Sequence, residues 1–159
     1  MRIRWTATVS NFKKLKEAGV SCVHNNLETS ERNFPNACIT YTYQNKISTL
    51  RTAQRAGFSV CCGGIVGLGE SMENRIDMFL SIGELNVQSV PVNLLNPIPG
   101  TPYAHNKILT NDEMCRIIAI ARFLLPKASI RMAGVVDYYP IMASNAFYRA
   151  PTRPFLEIY

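Results

Sequence analysis

Residues 60–70 read Val60-Cys61-Cys62-Gly63-Gly64-Ile65-Val66-Gly67-Leu68-Gly69-Glu70, and this stretch decides the fold. A β-type run from Gly57 to Cys62 carries two adjacent cysteines into four glycines within the seven residues Gly63 to Gly69. An amphipathic helical pattern follows at once. Strand, glycine-rich loop and helix make one unit of a parallel α/β sheet. Glycines in such a loop let backbone approach a ligand closely. A cysteine at the C-terminal end of the strand can point at that ligand. A soft thiolate beside bare backbone suits an iron–sulfur cluster next to a nucleotide-like cofactor. A tight turn beside a buried free cysteine accounts for the same residues, and both readings stand at this point.

The same unit recurs on either side. Residues 10–18 form a short helix with Phe12, Leu15 and Ala18 on one face, closed by Gly19, and Gly19 to Val23 begins a strand running into His24-Asn25-Asn26-Leu27-Glu28-Thr29-Ser30. A helix over 44–56 places Ile47, Leu50 and Ala53 inward and stops at Gly57, ahead of the Phe58–Cys62 strand. A third helix over 72–84 carries Ile76, Phe79, Leu80 and Gly83 at helical spacing behind the N-cap Ser71. Its strand is Ser89 to Leu95, with Pro91 near the start. Thr110 and Glu113 match a capping box ahead of Met114, Ile117, Ile118, Ala121 and Leu125. Pro126 ends that helix, and Ser129 to Ala133 is the last clear strand.

Helices alternating with strands predict an α/β fold with a parallel sheet and right-handed crossovers. Polar residues gather at strand C-termini: Asn26 and Glu28, then Cys61, then Asn93. A (β/α) TIM-type barrel places its chemistry there. About four βα units make half of an eight-unit barrel, with two unpaired strand edges.

Composition narrows the classes. The chain has 159 residues, 47% hydrophobic and 18% charged, enough for one core and too apolar for a disordered chain. No apolar run reaches the ~20 residues of a membrane helix, and the N-terminus lacks the apolar core of a secretion signal. The five cysteines contain no CxxC pair, and an odd count favours free thiols or metal ligands in a reducing, cytoplasmic setting. The net charge of +6 is scattered over helices, so it reads as a solvated surface rather than a nucleic-acid face.

Several blocks in order resemble biotin synthase, a family of radical S-adenosylmethionine (SAM) enzymes. They are Asn26-Leu27-Glu28-Thr29-Ser30, Val60 to Glu70, Ser89 to Leu95, Pro97-Ile98-Pro99-Gly100-Thr101-Pro102, and Ala121 to Pro126 followed by Ile130-Arg131-Met132-Ala133-Gly134. The likeness runs over roughly residues 10–134. It implies a barrel with a 4Fe-4S cluster that cleaves SAM to a 5′-deoxyadenosyl radical, and a 2Fe-2S cluster that supplies sulfur to dethiobiotin. By the same resemblance Cys61 and Arg131 are 2Fe-2S ligands. Asn26 and Asn93 lie around dethiobiotin, with Asn26 also near SAM. Glu28 takes the SAM ammonium group, and Ile65 meets the adenine. A homodimer is expected, with neither membrane nor nucleic acid as partner. Because side chains alternate along a strand, Cys61 facing the interior makes Cys62 a buried structural thiol.

The chain also departs from the family. The SAM-cluster motif CxxxCxxC is absent from these residues, so the chain alone is expected to be inactive. Cys22, Cys38 and Cys115 match no ligand position. His24-Asn25-Asn26 stands where the family tends to read Asn-His-Asn, which leaves His24 without a family role. Residues 1–134 read as a partial barrel. Residues 135–159 read as a divergent tail, which a frame slip near Gly134 would explain. Two other readings remain: a non-catalytic binding or assembly module, and an unrelated (β/α) barrel whose Gly63–Gly69 loop holds phosphate. No lysine stands at a strand end for Schiff-base chemistry.

Overall fold

A computed structural model describes residues 9–133 of the chain. The expected tail at 135–159, with its frame slip, lies outside the described residues. The elements run α1 (Val9–Glu17), β1 (Cys22–His24), α2 (Phe34–Ala37), α3 (Tyr43–Arg55), β2 (Ser59–Cys61), β3 (Gly64–Val66), α4 (Met72–Glu84), β4 (Ser89–Leu94), α5 (Asn111–Leu124) and β5 (Ser129–Ala133).

The sheet is parallel throughout. β1 pairs with β2, β4 pairs with β2 and β3, and β5 pairs with β4. β2 and β3 are two segments of one strand. Cys61 partners Ser89, and Gly64 partners Val92 in the same register. Four parallel strands therefore stand side by side in chain order, with α3, α4 and α5 as their crossovers. This is the (β/α) repeat of a partial TIM-type barrel. β1 and β5 are the outer strands of the sheet among the described residues.

Sequence placed Gly63 and Gly64 in a loop that cradles a ligand; the structure corrects this. Both glycines lie within the interrupted strand, and pairing continues to Val66. A Cβ on Gly63 would land on the Pro91 carbonyl oxygen, and one on Gly64 would meet the Met78 sulfur and the Glu28 carbonyl. These two glycines admit neighbouring protein atoms rather than a ligand. Gly67 and Gly69 do form the turn, with φ of 100° and 95°.

Alternation gives the sheet two unlike faces. Val60, Cys62, Val90, Val92 and Ile130 point into a core shared with Phe12, Leu50, Phe79, Met114 and Ile117. Each such side chain contributes about 1.5–3 kcal/mol by leaving water. The opposite face carries Cys61, Ser89, Pro91, Asn93, Ser129 and Arg131.

The helices follow their caps. Thr110 and Glu113 form the expected capping box, and Ser71 caps α4 by accepting from the Asn74 N–H. A second capping box, Thr42 with Asn45, starts α3 and was not foreseen. On α4 the buried residues are Arg75, Met78, Phe79 and Ile82, while Leu80 is half exposed. The inward face is thus turned from the expected one. On that face Arg75 pairs with the buried carboxylate of Glu70. The short α2 was also missed, having only four residues and no periodicity to read.

Candidate functional site

Four side chains from four strands converge on the polar face. Cys61 ends β2, and its register partners are His24 on β1 and Ser89 on β4. The Cys61 Sγ lies 3.2 Å from His24 Nδ1 and 3.6 Å from Ser89 Oγ. Arg131 reaches across from β5, two strands away, and donates from Nη2 to the same sulfur at 3.0 Å. Parallel register makes this possible: Arg131 pairs with Pro91, two residues past Ser89 on β4. Proline has no side chain long enough to intervene. Cys61 and Arg131 thus face one volume with β4 between them, as the strand order expected.

Cys62 is fully buried on the other face, among the core side chains. Burial pushes its thiol up to about 12. It is a structural residue, as the alternation of side chains requires. Cys22 is exposed, and Cys38 and Cys115 are half-buried, and all are free thiols.

The two asparagines grip the glycine pair. Asn26 Oδ1 accepts from the Gly63 N–H at 2.9 Å, and Asn93 Nδ2 donates to the Gly64 carbonyl at 3.1 Å. Asn26 sits in a β-bulge. Val23 and His24 pair with Val60 and Cys61, but Glu28 then bridges Gly64, so four residues of one strand oppose three of the other. Asn25 and Leu27 donate backbone N–H groups to Cys61 and Gly63 within the bulge, and Glu28 absorbs the turn at φ 71°. Ile65 pairs with Asn93 and so shares its face.

Glu28 is held by an unforeseen partner. Its carboxylate accepts from Lys46 Nζ at 3.3 Å, and Lys46, buried on α3, lies 5.1 Å from the centre of the Tyr41 ring. The turn after β3 is braced by the protein itself. Glu70 accepts from the Gly67 N–H at 2.9 Å and from Arg75 Nε at 2.6 Å, while Asn106 donates to the Gly67 carbonyl at 2.8 Å.

The structure therefore brings Cys61 and Arg131 together, sets Asn26, Asn93 and Ile65 beside them on neighbouring strand ends, and ties Glu28 to Lys46. His24, Ser89 and Lys46 were missed as partners. The strand-end position of His24 was legible, but its contact depended on register. No three His, Cys, Asp or Glu side chains cluster in a metal-binding group among the described residues. A 2Fe-2S cluster finds a partial donor set here: one buried sulfur with an arginine against it.

Comparison with known proteins supports the same frame. Residues 91–135 match the Biotin and Thiamin Synthesis associated domain. The chain is similar to the biotin synthase of Akkermansia muciniphila, 55% identical over 122 residues, covering 77% of this chain and 38% of that protein. It is similar to that of Alkaliphilus metalliredigens, 54% identical over 123 residues, covering 77% and 39%. It spans well under half the length of these curated relatives. Among solved structures, methylornithine synthase (PylB) superposes with a TM-score of 0.76 at 21% identity, covering 94% of this chain and 47% of that one. HydG, a maturase of the FeFe-hydrogenase, gives 0.76 at 18% identity, covering 91% and 34%. These two likenesses establish the barrel-type fold alone. The chain is thus similar, over 77% of its length, to one segment of the biotin synthases, and its parallel sheet carries Cys61, Asn93 and Arg131 on one face.

Proposed function

We propose that this chain supplies one half of a biotin synthase site: the Cys61 and Arg131 side of a 2Fe-2S cluster, and the Asn26 and Asn93 side of a dethiobiotin and SAM pocket. The contact of Arg131 with Cys61 across two strands carries this reading. In the family the clusters supply radical generation from SAM and the sulfur atom; the residues of this chain bind, orient and exclude water. Asn26 spends its Oδ1 on Gly63, leaving Nδ2 as a donor. Asn93 spends its Nδ2 on Gly64, leaving Oδ1 as an acceptor. A cyclic urea presents one carbonyl and two N–H groups, which this donor and acceptor pair complements. Glu28, placed by the bulge, offers the SAM ammonium group a carboxylate oxygen beside Lys46, and Ile65 offers the adenine an apolar edge. By sequence, residues 1–134 read as the barrel part and 135–159 as a divergent tail. The protein acts in the cytoplasm as a homodimer, β1 and β5, the outer strands among the described residues, offering edges for pairing.

The chain by itself is expected to release no 5′-deoxyadenosine from SAM after anaerobic reconstitution, because CxxxCxxC is absent from its sequence. Residues 10–134 grafted over the matching segment of the A. muciniphila relative are expected to form biotin from dethiobiotin. Cys61→Ala in that graft should abolish product. A graft that folds and loads iron yet forms no biotin, or one indifferent to Cys61→Ala, would overturn the proposal.

A further inference from the structure

We infer that His24 is a positioning residue for the sulfur of Cys61, donating Nδ1–H to it as a lasting hydrogen bond. This rests on the cluster reading above and goes beyond it, since the family match gives His24 no role. The Nδ1 atom is 3.2 Å from Cys61 Sγ, within the range of an N–H···S contact, and β1 and β2 hold the two residues as direct register partners. That placement is fixed by backbone pairing rather than by a flexible side chain.

The chemistry follows from which atoms remain free. The sulfur has three polar neighbours in the structure: Arg131, His24 and Ser89. A sulfur bound to metal is a thiolate with no proton to give. An imidazole nitrogen held at this distance is then attractive only as N–H, which fixes the tautomer with the proton on Nδ1. If Arg131 turns its guanidinium to the metal, as the family match implies, it no longer donates to sulfur. His24 then remains the nitrogen donor to Cys61. Hydrogen bonds to a cluster sulfur stabilise the reduced, more negative state and raise the reduction potential. The family's Asn at this position carries an amide N–H of similar reach, so Asn is the conservative replacement.

The test uses the full 159-residue chain, reconstituted anaerobically with iron, sulfide and dithiothreitol, the last supplying the missing thiolate positions. Visible absorption reports loading, and a redox titration reports the midpoint. Cys61→Ser is expected to lose the cluster absorption. His24→Leu is expected to keep it but move the midpoint negative by about 59 mV, a tenfold change for a one-electron couple. His24→Asn should recover most of that shift. A midpoint unchanged in His24→Leu, with loading still dependent on Cys61, would overturn the role of His24 alone. Loss of the cluster in both His24 variants would overturn it too, making the histidine a ligand. A chain that loads nothing, or loads equally well as Cys61→Ser, would overturn the cluster reading from which the inference starts.

Discussion

Cys61 and Cys62 are adjacent in sequence and stand in two different media. Cys61 faces polar groups on three other strands; Cys62 faces packed hydrocarbon under the helices. The same contrast runs along β4, where Ser89 lies on the polar face and Val90 is fully buried. One backbone, read at period two, thus separates a region that carries stability from a region that carries chemistry. A family match at Cys61 says nothing about Cys62, although the residue type is the same.

The largest effect should come where the two regions join. Gly63→Ala drives a methyl group into the Pro91 carbonyl of the next strand, a backbone atom that cannot move aside. We expect a loss of about 4 kcal/mol or more, a large part of the ~5–15 kcal/mol that holds a domain together. Urea unfolding would measure it; a stability within 1 kcal/mol of the parent would mean that β3 and β4 do not meet as described.

Alkaline pH should separate the two cysteines next. The Cys62 thiol stands at about 12 when folded, above its reference value of 9.0. Below about pH 9 both states hold the proton and the stability from this group is complete. As pH rises from 9 towards 12 the unfolded chain releases the proton and the folded chain does not. Stability then falls by about 1.4 kcal/mol per pH unit, on the order of 4 kcal/mol in all. Burial also raises the Tyr43 hydroxyl, which adds a loss of the same sign at higher pH. The difference in slope between the parent and Cys62→Ala, read from urea midpoints across this range, isolates the cysteine. Equal slopes would place Cys62 in a wet environment.

The smallest effects compare neighbours on β4. Val90→Ala removes two buried methyl groups and should cost about 2 kcal/mol. Ser89→Ala, on the polar face, should stay within about 0.5 kcal/mol. Comparable losses at the two positions would erase the distinction between the faces.

Much of this was written in the sequence. Periodicity and caps marked the four long helices and the strands, because an amphipathic helix needs only local order to show its apolar stripe. Gly19 and Gly57, with φ of 87° and 80°, closed helices where expected. Alternation separated Cys61 from Cys62, and the ordered family blocks pointed to Cys61, Arg131, Asn26 and Asn93. The sequence could not assign Gly63 and Gly64 to a strand, since glycine looks the same in a turn and where two backbones crowd. Nor could it aim α4, because a charged residue, Arg75, lies on its buried face, paired with Glu70. Tertiary structure alone decided that His24 and Arg131 meet one sulfur, and that Lys46 meets Glu28. Those contacts join residues 37, 70 and 18 positions apart. Pairing register and a one-residue bulge bring them together, and register is a property of neighbouring strands that no single segment encodes.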